Sequence, residues 1–109
     1  MISRQWTGLC KKEKAEDYIQ HLRKDTFGRL GQLKGFIKAS ILKREIGEGI
    51  EFLIVTEWES LNAIKQFAGN DYDTAVVPEN VQKMMVRYDN TVRHYEINLQ
   101  HNGKKTIIG

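Results

Sequence analysis

The stretch EFLIVTEWESLNAIKQFAG, Glu51 to Gly69, decides how this chain folds. Phe52, Leu53, Ile54 and Val55 are apolar at every position rather than at alternate ones. Side chains of a strand point to its two faces in turn, so this strand is oily on both sides. A small antiparallel sheet ordinarily leaves one face to water. Each face of this strand therefore needs a cover. Directly after it, Ser60 is placed to cap a helix over 61–68 and Gly69 to stop it. Leu61, Ile64 and Phe67 give that helix one apolar stripe.

Working backwards, FIKASILKREI (Phe36 to Ile46) reads as a second strand, joined to the first by Gly47-Glu48-Gly49. Glycines free to take positive φ suit such a hairpin turn. A Gly-x-Gly that cradled phosphate would need a helix after it, and here a strand follows. MISRQWTGLC reads as an N-terminal strand of mixed polarity. In KKEKAEDYIQHLRKD, residues Ala15, Tyr18, Ile19 and Leu22 recur at the spacing of an amphipathic helix. The three glycines of TFGRLGQLKG predict that this helix breaks or frays there. Working forwards, GNDYD is a loop, a short helix is expected around Val81 to Met85, and Thr91 to Leu99 reads as a last strand.

The order strand, helix, strand, strand, helix, strand is that of a ferredoxin-like α+β fold, one four-stranded antiparallel sheet with helices on one face. The helices cover one side of Phe52 to Val55, and a second copy packed sheet to sheet covers the other. A homodimer is the expectation. The plainer reading is a lone central strand whose outward Leu and Val are tolerated. Residues 1–98 form the expected domain and residues 99–109 a tail, in which Thr106 to Ile108 suit a sheet edge.

The bulk composition agrees with one soluble domain. The chain has 109 residues, 40% hydrophobic and 28% charged, enough for a single core. No apolar run approaches the ~20 residues that span a membrane, and the start lacks a secretory signal, so a cytoplasmic location is expected. A net charge of +3 is too mild for a nucleic-acid footprint. An RNA-binding sheet would also need exposed aromatics on its inner strands, and the Arg-Gly-Phe-Gly-Phe type of run is missing. Cys10 is the only cysteine, which excludes an intrachain disulfide, and it reads as an inert strand-end thiol.

Several of these segments together resemble the antibiotic biosynthesis monooxygenase family: ISRQWTG in the first strand, EFLIVTEWESLNAIKQFAG, AVVPE and VRHYEI. Trp58 to Phe67, a Trp-x-Ser-x-x-Ala-x-x-x-Phe run, is the most specific piece. The resemblance implies a dimeric α+β barrel of two ferredoxin-like subunits. It also implies a site between sheet and helices. Some members oxidise polycyclic aromatic molecules with O₂ and no cofactor, the deprotonated substrate passing electrons to oxygen. Others degrade haem. The haem-degrading members use an Asn in strand one, a Trp on the helix after strand three, and a His about ten residues later. Here those three slots fall on Trp6, Phe67 and Val77, and no His lies between His21 and His94. Haem degradation is therefore disfavoured. The expectation is a cofactor-independent monooxygenase-like protein acting on a small aromatic or quinone-type molecule. The alternative is a non-catalytic dimeric binding or stress-related protein of the same fold.

The residues nominate their own candidates. If Trp6 faces the helices, so do Arg4 and Gly8, and Gly8 leaves room for a flat ligand beside the indole. Trp6 is otherwise plain core. Arg4, costly to bury without a carboxylate, would hold a ligand anion, or else pair with a neighbouring residue. His94, with Glu96 two residues on, is the expected general base, or else a hydrogen-bonded structural histidine. Strand pairing would bring it near Trp6 or Arg4. Trp58, at the end of its strand, is expected to pack under the following helix as core, or else to line the pocket; Phe67 and Tyr72 are taken as lining its mouth, with Gly69 to Asp73 as a lid. No metal site is expected, because His94 and Glu96 supply only two ligands where three or more must converge.

Overall fold

The structure is a computed structural model and describes residues 1–103. The expected tail strand at Thr106 to Ile108 lies outside the described residues. The elements run β1 (Ile2–Cys10), α1 (Ala15–His21), α2 (Phe27–Leu30), β2 (Phe36–Ile46), β3 (Gly49–Trp58), α3 (Leu61–Ala68), α4 (Glu79–Gln82), β4 (Met85–Tyr88) and β5 (Arg93–Glu96). The sheet order is β2-β3-β1-β4, with β5 also on β1, and every pairing is antiparallel. This is the ferredoxin-like arrangement expected from the sequence.

The register fixes the faces. Ile2, Arg4, Trp6 and Gly8 stand opposite Trp58, Thr56, Ile54 and Phe52. This row looks toward the helices. Phe52, Ile64 and Trp58 are sealed there, each worth about 1.5–3 kcal/mol of apolar burial. Leu53 and Val55 point to the other face, beside Leu42 at 47% exposure and Tyr95 at 49%. The two-faced strand is thus covered on one side by this chain's own helices. On the other, among the described residues, Leu53 and Val55 stay half-buried, while Glu57 is buried where Gln100 donates to its carboxylate at 3.0 Å.

Local signals explain the α3 boundaries. The Ser60 hydroxyl accepts from the Ala63 amide at 3.2 Å, and Gly69 closes the helix at φ 80°.

The helix after β1 ends within TFGRLGQLKG, as expected, at Leu30. Before that it passes through a π-helical turn, Leu22–Thr26, in which the Phe27 amide reaches back to the Leu22 carbonyl, and then through α2. A Cβ on Gly28 would meet nothing, so that glycine sits on open surface and costs only propensity. Other expectations are corrected. The hairpin forms at Gly47-Glu48, but neither Gly47 nor Gly49 has positive φ. A Cβ on Gly49 would strike the Cys10 carbonyl, so close strand approach is what requires that glycine.

The last strand is also different. The short helix is Glu79–Gln82 rather than Val81 to Met85, and the edge of β1 is shared by β4 at Gly8–Cys10 and β5 at Ile2–Gln5. In the gap between them, Ala75 donates to the Asn90 carbonyl and Val92 to that of Asp73, both at 2.8 Å. The split edge strand therefore holds the 69–78 segment by backbone bonds against the inner end of β1.

Candidate functional site

Between the sheet and the helices lies an open cleft of about 630 Å³, its mouth included. Arg4, Trp6, Ile54 and Thr56 form its floor on β1 and β3. Tyr18, His21, Leu22, Thr26 and Phe27 form one wall, Phe67 and the Val76-Val77-Pro78 run another. The π-helical turn sits in the first wall. Its wider winding lets Leu22, Thr26 and Phe27 all border the same space, and such turns recur at functional sites. Trp6, Phe67 and Val77 occupy the three slots that the family resemblance assigned to a site, and all three line this cleft.

Arg4 is the electrostatic centre. It is only 6% exposed, and no carboxylate lies within ion-pair distance among the described residues. One guanidinium nitrogen, Nη1, donates to the Tyr72 carbonyl at 2.5 Å and to His94 Nε2 at 2.9 Å. The guanidinium carbon lies 5.7 Å from the centre of the Phe67 ring, in cation–π range. Its Nε and Nη2 have no partner among the described residues, and Arg4 lines the cleft. Burial pulls the guanidinium down to about 10, against the raising influence of Asp73, and it remains a cation at neutral pH.

His94 is brought to Arg4 by the β1–β5 pairing, which sets the two residues opposite each other. The sequence nominates it as a general base; in the structure both of its ring nitrogens are engaged. His94 is not on the cleft wall. Its Nε2 accepts from Arg4, so its Nδ1 carries the proton and donates to Asp73 Oδ1 at 3.2 Å. Asp73, not Glu96, is the orienting carboxylate. Burial first, and then the Arg4 charge, hold the imidazole below its ordinary value, against the pull of Asp73. His94 stands behind Arg4 and is hydrogen-bonded to it.

The remaining candidates divide. Trp6 and Phe67 face the cleft. The room expected above Gly8 is filled by Trp6 itself: a Cβ there would lie 2.5 Å from the indole ring. Trp6 is fixed across Gly8 by its Nε1–H, which donates to the Asp89 carbonyl at 2.7 Å. Trp58 is fully buried between Phe36 and Phe67, its indole N–H donating to Thr56 Oγ1 at 2.9 Å. Tyr72 reaches the site through its carbonyl, while its ring packs edge-on to His94. Cys10 is sealed, and burial pushes its thiol up to about 11.

Sequence reasoning missed Tyr18, His21 and Thr26. A signal was present: Tyr18, His21, Leu22 and Asp25 continue the helical stripe at i, i+3, i+4 and i+7.

The antibiotic biosynthesis monooxygenase family model matches residues 6–79. No curated protein matches the chain. Among solved structures, the fold is similar to a candidate antibiotic biosynthesis monooxygenase from Bacillus cereus, at 18% identity and TM-score 0.66, covering 96% of this chain and 98% of that one. It is similar to the haem-degrader MhuD from Mycobacterium tuberculosis, at 16% identity and TM-score 0.59, covering 94% and 100%. It is also similar to SnoaB, a cofactor-independent oxygenase from Streptomyces nogalater, at 11% identity and TM-score 0.56, covering 99% and 97%.

Proposed function

The chain belongs to the antibiotic biosynthesis monooxygenase family, and from that premise we propose that it oxygenates a flat phenolic or quinone-type molecule with O₂, without a cofactor. The observation that carries this reading is the composition of the cleft. Its walls are mostly apolar, and one buried guanidinium without a carboxylate in ion-pair range lines it. Such a cation, largely withdrawn from water, favours an anion, here a phenolate or enolate oxygen, more than it would in water. Trp6 and Phe67 offer flat surfaces to a ring. For a phenol the reaction balances as follows. The ring carbon gains one atom of O₂ and becomes a carbonyl. The other atom leaves as water with the hydroxyl proton and the displaced ring hydrogen. The four electrons that reduce O₂ come from the ring.

The haem reading is less well supported. Val77 stands where the haem-degrading pattern places its histidine. In the direct test, the protein is given a naphthol and isotopically labelled O₂. The reading predicts one labelled oxygen in the naphthoquinone formed. Binding of the naphthol with no oxygen uptake would instead support the non-catalytic binder.

The assembly proposed with this function is a homodimer joined through the sheet face away from the helices. Leu42, Leu53, Val55 and Tyr95 form an apolar patch there, among the ion pairs Lys38–Glu57, Arg44–Glu51 and Arg87–Glu48. Light scattering is expected to give about twice 12.7 kDa. Leu53→Asp, which places a charge in the patch, is expected to halve that mass, and a monomeric wild type would refute the interface.

A further inference from the structure

The cleft has a second polar pole, on the helical wall opposite Arg4. His21 Nδ1 lies 3.1 Å from Asp25 Oδ2, one helical turn away, and 3.5 Å from the Asn80 side-chain amide. With its Nδ1–H directed at the Asp25 carboxylate, the lone pair of the ring is on Nε2. That atom has no partner among the described residues, and His21 lines the cleft. Tyr18, three residues earlier on the same stripe, is 2% exposed, and its hydroxyl also lacks a partner among the described residues. Burial holds that phenol neutral, as a hydrogen-bond donor. An acceptor nitrogen and a donor hydroxyl thus meet a buried cation across apolar walls formed by Leu22, Phe27 and Ile54.

We propose that His21, oriented by Asp25, is the general base of this site, and that the substrate class is a flat phenol carrying a second, ring-conjugated oxygen at its far end, the hydroxyl at His21 and the other oxygen, onto which the phenolate charge spreads, at Arg4. The inference rests on the oxygenase reading of the cleft. The step is a proton transfer: the phenolic O–H bond breaks, its electron pair stays on oxygen, and the proton moves to His21 Nε2. The imidazolium is then held by Asp25, the arrangement by which a carboxylate-oriented histidine accepts a proton elsewhere. The two histidines divide the labour. His94 has both ring nitrogens engaged, one of them by Arg4, while His21 presents a free one.

The test uses a hydroxyanthraquinone dye, whose absorption moves to longer wavelength when its hydroxyl ionises. It is mixed with protein at a pH where the free dye is neutral. Wild type is expected to bind the dye and show the anion band. His21→Gln keeps a hydrogen-bond acceptor but cannot take the proton, so it is expected to bind within about threefold of wild type and show the neutral band. Asp25→Asn, on the exposed side of the pair, is expected to lose most of the band with the helix intact by circular dichroism. An anion band retained in His21→Gln would assign ionisation to Arg4 alone and overturn the base role of His21, leaving the cleft reading in place. No binding by wild type would overturn the cleft reading and the inference together.

Discussion

The two tryptophans of this chain face the same side of the same sheet and meet different ends. Trp58 is sealed by Leu30, Ala63 and Ile64, with aromatic contacts to Phe36 and Phe67 and its indole N–H satisfied inside the core. Trp6, on the next strand, packs obliquely against Tyr18 and Tyr88, donates to a loop carbonyl and leaves a face to the cleft. The difference comes from the helices above them. α3 lies tightly on β3 because Ala63 and Ile64 present a small and a medium residue to the sheet. Beside Trp6, the helical wall of Tyr18 and His21, continued by the π-helical turn from Leu22, leaves the cleft open. One end of the layer is closed and the other is open.

Truncation should separate the two ends most sharply. Trp58→Ala empties a closed core and is expected to cost about 3–5 kcal/mol in denaturant unfolding. Trp6→Ala, at a site already open, is expected to cost roughly 1 kcal/mol while weakening dye binding. Equal costs would erase the distinction between core and cleft.

Arg4→Met sharpens it from the charge side. A buried cation without a carboxylate is a poor stabiliser, so its replacement by a flexible apolar side chain should change stability by no more than about 1 kcal/mol. Affinity for an anionic hydroxynaphthoquinone should fall roughly tenfold to a hundredfold, the worth of a charged hydrogen bond. A large stability loss with unchanged affinity would make Arg4 a structural residue.

The smallest effect is a pH dependence. The folded chain holds His94 below its ordinary value of 6.5, so the unfolded chain takes up a proton first as pH falls. Stability should be full above 6.5, decline as pH drops through the lower folded value, and level off below it. His94→Gln should flatten that decline. Unfolding midpoints measured across acid pH check the sign: a stability that rises on acidification would contradict the Arg4–His94 hydrogen bond.

Much of this was legible in residues. The unbroken apolar run at Phe52 to Val55 announced a strand with two faces to cover, and Ser60 and Gly69 marked the ends of α3. The sequence nominated Arg4, Trp6 and Phe67, and all three line the cleft. β4 was hidden because Met84-Met85-Val86 is too short an apolar run to tell strand from helix, and because its partner on β1 is distant in sequence. The π-helical turn was hidden because an extra residue in a turn leaves no periodic trace. His94 was legible as a histidine near Arg4. Its role was not, because Asp73 reaches it through loop pairing with the gap between β4 and β5.

The central claim is that the cleft above Trp6 binds a flat molecule through an anionic oxygen on Arg4. The most direct measurement is a crystal structure of the protein with a hydroxynaphthoquinone. The account predicts its ring between Trp6 and the helical wall, with an oxygen within hydrogen-bond distance of Arg4 Nε or Nη2. A ring bound elsewhere, or in the cleft with its oxygens turned away from Arg4, would contradict it.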